Sequence, residues 1–217
     1  MNSVLFDLDG VLVDSRVAIT TCINRALRAG DHDERPPQEL YRYIGPALAD
    51  VFVELLGRPR EDAAVVACVA AYREIYATES LRLTTLVPGV ARVLDAIATT
   101  RQLAIASSKP VAFSEPILET LGIRRHFDAV EGPDLNPFGE TKTATIAKAL
   151  AVVGLPAAMV GDRRHDVEGA RANGIPCIGV AWGIGSRAEL ENAGAVAIAD
   201  RPGDLPAMLK ELARVSR

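Results

Sequence analysis

A doubly wound α/β fold with a small helical unit inserted early in the chain is what this sequence predicts, on three observations. Short apolar runs ending in small or acidic residues recur at Val4–Phe6, Leu103–Ala106, Ala157–Val160, Cys177–Ala181 and Ala195–Ala199, as in strands buried on both faces. Helical patterns fill the intervals at Val90–Ala98, Val111–Leu121, Thr143–Val153, Val167–Ala172 and Leu205–Val215. That alternation calls for a parallel sheet. From about residue 15 to 85, by contrast, no strand run occurs, and the pattern predicts helices near 16–29, 46–57 and 61–79.

The elements follow in order along the chain. Val4–Phe6 opens the sheet and delivers an acidic turn, Asp7-Leu8-Asp9-Gly10. Pro36-Pro37, Gly45-Pro46 and Pro59 then punctuate the helical insertion, and Val87-Pro88-Gly89 marks the return to strand and helix. Gly122, Gly154 and Gly174 each follow a helical pattern, where a helix-ending glycine belongs. The expected division is a Rossmann-like core from residues 1–14 and 86–217, with residues 15–85 as the inserted helical unit.

Composition narrows the function classes. The 217 residues are 49% hydrophobic and 24% charged, a balance suited to a globular core. The net charge is -4 and the basic residues form no stripe, which argues against a nucleic-acid partner. No apolar run approaches the roughly 20 residues of a membrane span. The opening MNSVLFDLDG lacks the basic and long apolar regions of a signal peptide, so the expected location is cytoplasmic. Cys22, Cys68 and Cys177 lie far apart with no paired spacing, and they are expected as small buried hydrophobes rather than a metal cluster.

Four segments carry chemistry. Asp7 and Asp9 sit two residues apart at a strand end, so both carboxylates point to one side, and their repulsion invites a hard cation with oxygen ligands such as Mg2+. The second strand runs into Ser107-Ser108-Lys109-Pro110, where a hydroxyl and free backbone N–H groups suit phosphate oxygens, although either serine also suits a helix cap. Lys142 follows the loop 136–141 and opens a helix against the macrodipole, which a nearby anion would explain. Finally Gly161-Asp162 ends an apolar strand, and Asp166 follows four residues on, close enough for both carboxylates to reach a shared metal. His165 beside them is expected as an exposed loop residue.

Taken together the four segments resemble the haloacid dehalogenase superfamily, in its phosphoglycolate-phosphatase-like branch with a helical cap after the first strand. Phe6 to Ser15 resembles its first motif, Ser107 its second, Lys142 its third, and Gly161-Asp162 with Asp166 its fourth. Each motif is weak alone, and their order makes the set specific. The resemblance implies Asp7 as a nucleophile forming an aspartyl-phosphate and Asp9 as general acid and base. It also implies Mg2+ held by Asp7, the backbone carbonyl of Asp9, and Asp162, with Asp166 as a further ligand or support. Ser107 and Lys142 would bind the phosphoryl oxygens with Ser108 beside them, Lys109 being a second candidate for the lysine. Gly45, in Ile44-Gly45-Pro46, resembles a cap loop facing substrate.

The implied partner is a small phosphorylated metabolite, and the implied assembly a monomer or homodimer. Asp9 sets true dehalogenases aside. The four lysines, Lys109, Lys142, Lys148 and Lys210, leave none in residues 15–85 for a Schiff base, which sets phosphonoacetaldehyde hydrolases aside. A sugar-phosphate mutase would use the same core. From another class, Gly183-Ile184-Gly185 after the strand at 177–181 resembles a dinucleotide-binding fingerprint, with Asp200 at the end of the next strand. A regulatory binding protein on an inactive scaffold is disfavoured by the intact set of motif residues.

Overall fold

The computed structural model describes residues 2–135 and 140–215. Strand β1 (Ser3–Phe6) is followed by β2 (Val13–Asp14), α1 (Arg16–Ala29), α2 (Pro37–Leu40), a 3-10 turn at Tyr41–Tyr43, α3 (Leu48–Leu56), α4 (Ala63–Leu83) and β3 (Thr85–Leu86). Then come α5 (Val90–Ala98), β4 (Gln102–Ala106), α6 (Val111–Thr120), β5 (Ala129–Glu131) and α7 (Lys142–Val153). The chain closes with β6 (Ala157–Gly161), α8 (Arg164–Ala172), β7 (Cys177–Val180), α9 (Arg187–Ala193), β8 (Ala197–Ala199) and α10 (Leu205–Val215).

Six strands form one parallel sheet in the order β5-β4-β1-β6-β7-β8. β1 lies inside it, with Phe6 opposite Ile105 on one side and Val160 on the other. Because side chains alternate along a strand, Val4, Phe6, Leu103 and Ile105 enter one hydrophobic cluster, while Leu5, Ala104, Ala106 and Met159 enter the other. Helices cover both faces, which is the doubly wound arrangement the alternation predicts. The chain crosses from one half of the sheet to the other at β1, and such a crossing opens a crevice at the carboxyl ends of the strands. Asp7 stands at that end.

The four helices α1 to α4 lie between β2 and β3, the two strands of a short antiparallel ribbon in which Val13 faces Leu86 and Asp14 faces Thr85. Asp62 caps α4 by accepting from the Ala64 N–H. Several bounds differ from expectation. The second inserted helix begins at Leu48 rather than 46, because Gly45 has φ +109 and Ala47 is extended. α4 continues four residues past 79, to Leu83. β8 begins at Ala197, since the Ala195 N–H is drawn back to Leu190 O at the end of α9. β5, α2 and the ribbon were not predicted. Among the described residues no helix is long and apolar enough to cross a membrane.

Candidate active site

Strand β1 ends by aiming Asp7 and Asp9 into a cavity of about 240 Å³ between the sheet's carboxyl edge and the inserted helices. Ser107, Ser108, Lys142, Asp166 and Gly45 line the same cavity, so the residues singled out from four distant segments do converge. Ser107 is 1% exposed. Neither serine caps a helix, because Pro110 is the N-cap of α6. Residues 136–139 of the loop before Lys142 lie outside the described residues.

Lys142 opens α7 behind the Thr141 cap and reaches Asp7 Oδ1 at 2.8 Å and Asp166 Oδ1 at 2.7 Å. Burial works against its charge, yet the two carboxylates overcome that cost and hold the ammonium above its ordinary range. The anion that explains a lysine at a helix start is thus two aspartates. Asp166 is equally committed: its Oδ2 accepts from the N–H groups of Asp162 and Arg163, both at 3.0 Å. It lies in the first turn of α8, which begins at Arg164, so it braces the turn after β6 as well as Lys142. His165 shares that turn and is therefore helical rather than in a loop. Burial lowers its pKa.

Asp162 is fully buried. Its Oδ2 accepts from the Ile184 N–H at 2.6 Å, whereas Oδ1 has no hydrogen-bond partner among the described residues. Burial first, then the charges of Asp166 and Asp7, push its pKa well above the usual carboxylate range. Carboxylate oxygens of Asp7, Asp162 and Asp166 lie within 4.8 Å of one another. An orphaned buried oxygen among converging carboxylates is a donor set that suits a hard divalent cation. The Asp9 side chain is outside this cluster.

Glycines make the crowding possible. A Cβ on Gly10, whose φ is +83, would overlap Asp162 Oδ2, and one on Gly183 would overlap the Asp162 side chain. At Gly185 it would overlap the Asp162 carbonyl. The Gly183-Ile184-Gly185 turn therefore closes on a carboxylate, and a dinucleotide pyrophosphate has no cradle there. Its glycines do serve close approach, but to this chain's own aspartate.

The two lysines take separate partners. Lys109, 8% exposed, places Nζ 2.8 Å from Asp9 Oδ1 and also donates to the Tyr76 hydroxyl of α4. Sequence reasoning missed Tyr76, and it missed Arg163, whose Nη1 donates to Ile44 O at 2.8 Å while Nε donates to Glu189 at 3.0 Å. No local signal marks either one, since Arg163 and Ile44 stand 119 residues apart.

A chain whose nucleophile-sized carboxylate, paired lysine and buried aspartates meet at the edge of β1 can be compared with known proteins on those terms. The model of the haloacid dehalogenase-like hydrolase family matches residues 4–180, which include every one of these charged groups. The chain belongs to that family. It is 36% identical to a 5'-nucleotidase of Pseudomonas aeruginosa over 87% of this chain and 86% of that protein. It is 35% identical to the tyrosine-protein kinase PtkA of Mycobacterium tuberculosis over 84% of this chain, spanning 62% of that longer protein. With the phosphoglycolate phosphatase of Salmonella typhimurium the identity is 30%, over 84% of this chain and 82% of that one. The crystal structure of a predicted phosphatase from Clostridium acetobutylicum superposes with a TM-score of 0.88 at 33% identity, covering 97% of this chain and 98% of that one. Within the haloacid dehalogenase-like hydrolases this chain is a phosphoric monoester hydrolase.

Proposed function

We propose that the protein is a Mg2+-dependent phosphatase of small phosphate monoesters that works through an aspartyl-phosphate on Asp7. The observation that carries this reading is the buried set of Asp7, Lys142, Asp166 and Asp162, with one Asp162 oxygen left without a hydrogen-bond partner among the described residues. Asp7 and Asp162, with Asp166 beside them and the carbonyl of Asp9, would hold the ion, whose charge offsets that of the phosphoryl group.

A carboxylate oxygen of Asp7 attacks phosphorus and the bond from phosphorus to the ester oxygen breaks. Asp9, in its acid form, gives its proton to the departing oxygen. Water then attacks the phosphorus of the aspartyl-phosphate, Asp9 takes its proton, and inorganic phosphate leaves with Asp7 restored. Lys142 neutralises Asp7 and offers N–H donors to phosphoryl oxygens, as does the Ser107 hydroxyl. The inserted helices act as a cap that excludes water and surrounds the leaving group with Ile44, Leu48 and Tyr72, and Phe113 of α6 in the core lines the same space.

Phosphoglycolate, nucleoside monophosphates, sugar phosphates and pyrophosphate form the panel that tests the proposal. Release of inorganic phosphate should require Mg2+ and stop on chelation. Turnover indifferent to divalent cations would sink it.

A further inference from the structure

We propose that Lys109 is a positioning residue for Asp9, held in place by the cap through Tyr76, rather than a ligand of the transferring phosphoryl group. The inference rests on the acid role given to Asp9 above.

The two lysines that line the cavity take different carboxylates. Lys142 is spent on Asp7 and Asp166, which carry no proton to the leaving group. Lys109 meets a different carboxylate, Asp9, at 2.8 Å. The two lysines therefore serve the two halves of the chemistry, one at the nucleophile and one at the acid. The Nζ–Oδ1 contact fixes which way the Asp9 carboxyl points in either protonation state, because an ammonium N–H can donate to the carbonyl oxygen of the acid as well as to a carboxylate, and a proton donor is effective only within hydrogen-bond reach of its acceptor.

The backbone of Lys109 is built to hold that position. Its N–H donates to Ser107 Oγ at 3.3 Å, and its carbonyl accepts from Ser114 Oγ at 3.4 Å. Gly132 packs so closely on the same carbonyl that a Cβ there would overlap it. The only long freedom left is the side chain, and its far end is captured from the other side of the cavity. Tyr76 accepts a hydrogen bond from Nζ, which also stands 4.8 Å from the ring centroid. Tyr76 is itself wedged, stacked on Tyr72 at 5.1 Å and edge-on to Phe113 of α6 at 5.3 Å. A cap helix thus reaches the core acid through one tyrosine and one lysine. When the cap closes over substrate, Tyr76 draws Nζ into place and Asp9 follows; when it lifts, Lys109 loses the partner that aims it.

A positioning role predicts a signature that phosphate binding does not. Proton donation matters more as the leaving oxygen becomes more basic, so loss of Asp9 alignment should spare p-nitrophenyl phosphate and penalise benzyl phosphate, a ring of similar size with an alkoxide leaving group. The measurement is the ratio of kcat/KM for p-nitrophenyl phosphate over benzyl phosphate in the wild type, Asp9→Asn, Lys109→Met and Tyr76→Phe, with Ki for inorganic phosphate alongside. The ratio should rise most in Asp9→Asn, about tenfold in Lys109→Met and severalfold in Tyr76→Phe, with Ki for phosphate little changed. An equal loss on both esters in Lys109→Met together with a raised Ki would make Lys109 a phosphoryl ligand and overturn the assignment. If Lys109→Met fails to fold, Tyr76→Phe decides alone, and an unchanged ratio there overturns it. An unchanged ratio in Asp9→Asn would remove the acid role itself, a failure of the underlying reading that the wild-type Mg2+ requirement and the Asp7 variant would register separately.

Discussion

On the sheet side of the cavity Lys142 is enclosed between Asp7 and Asp166, and glycines at positions 10, 183 and 185 let backbone close on Asp162. On the helical side the lining is Ile44, Leu48, Tyr72 and Tyr76, and polar links to the sheet side are few: Arg163 to Ile44 O, and Lys109 to Tyr76. The first surface is held by buried charges that tolerate almost no displacement, because breaking such a pair by removing one partner costs about 3–5 kcal/mol. The second is held by contacts that vary with side-chain size and by hydrogen bonds worth about 1 kcal/mol each. On the proposed function, that difference would leave phosphoryl chemistry to the first wall and leaving-group recognition to the second.

The severest way to break the comparison is to strike the sheet side. Asp7→Asn should lower kcat by roughly a thousandfold or more, since an amide is a poor nucleophile. Far-UV circular dichroism should remain that of the parent and unfolding should stay cooperative, at a lowered Tm, because Lys142 keeps only Asp166 as a charged partner. Substantial turnover in the purified variant would mean that the buried pair with Lys142 is structural only.

Next in size is the effect of the cation on stability. The Asp162 pKa is raised in the fold, so its contribution favours the native state below the unfolded pKa and is lost as pH rises through the higher folded value. Mg2+ bound there should restore that loss. At a concentration a hundredfold above Kd the gain is about 2.7 kcal/mol, or roughly 5–10 °C in Tm for a chain this long. The shift should be largest above neutrality, shrink as the medium is acidified, and vanish in Asp162→Asn. A shift of equal size in Asp162→Asn would place the cation elsewhere.

The two sides also differ in how far the sequence disclosed them. β1, β4, β6 and β7 are apolar runs buried on both faces, and such runs announce themselves. β5 spans only Ala129–Glu131 and the ribbon strands only two residues each, too short for any period to register. The carboxylates were legible because their spacing of two at a strand end and four across a helix start already places them together. Half of the lysine pairing was legible: a lysine that opens a helix called for an anion beside Lys142, whereas Lys109 stands just before α6 and no local signal shows that it reaches Asp9. Gly183 and Gly185 show the same limit. The sequence shows that backbone must approach something closely there, while the identity of that something, Asp162, comes from a neighbouring strand.

A smaller expected effect sharpens the boundary between the walls. Arg163 follows Asp162 directly, yet its guanidinium serves Ile44 and Glu189 rather than the carboxylate cluster. Arg163→Met removes one hydrogen bond across the cavity, about 1 kcal/mol, and should raise KM about fivefold with little change in kcat. The split between KM and kcat is the check. A fall in kcat alone would show that Arg163 acts on the chemistry instead of on closure.

The smallest effect belongs to the apolar roof, and it is the most informative about substrate choice. Gly45 is a poor probe, because its φ of +109 strains any side chain and a Cβ there meets Arg163 Nη1 at 3.4 Å. Leu48 at the start of α3 lines the same cavity on ordinary helical backbone, so shortening it changes volume without forcing the loop to move. Leu48→Ala removes about three heavy atoms of contact from a leaving group while leaving Asp7, Lys142 and Asp162 untouched. One missing contact of that kind in an apolar pocket is worth about 1–3 kcal/mol between two substrates at most, and less at a half-buried position. The ranking of esters should therefore change by a few-fold, with bulkier leaving groups gaining on smaller ones, while the Mg2+ concentration for half-maximal activity and the Ki of inorganic phosphate stay where they were. If every ester fell by one common factor, the roof would be a closure element without a say in specificity, and the division of labour between the two walls would have to be redrawn around the residues next to the ribbon.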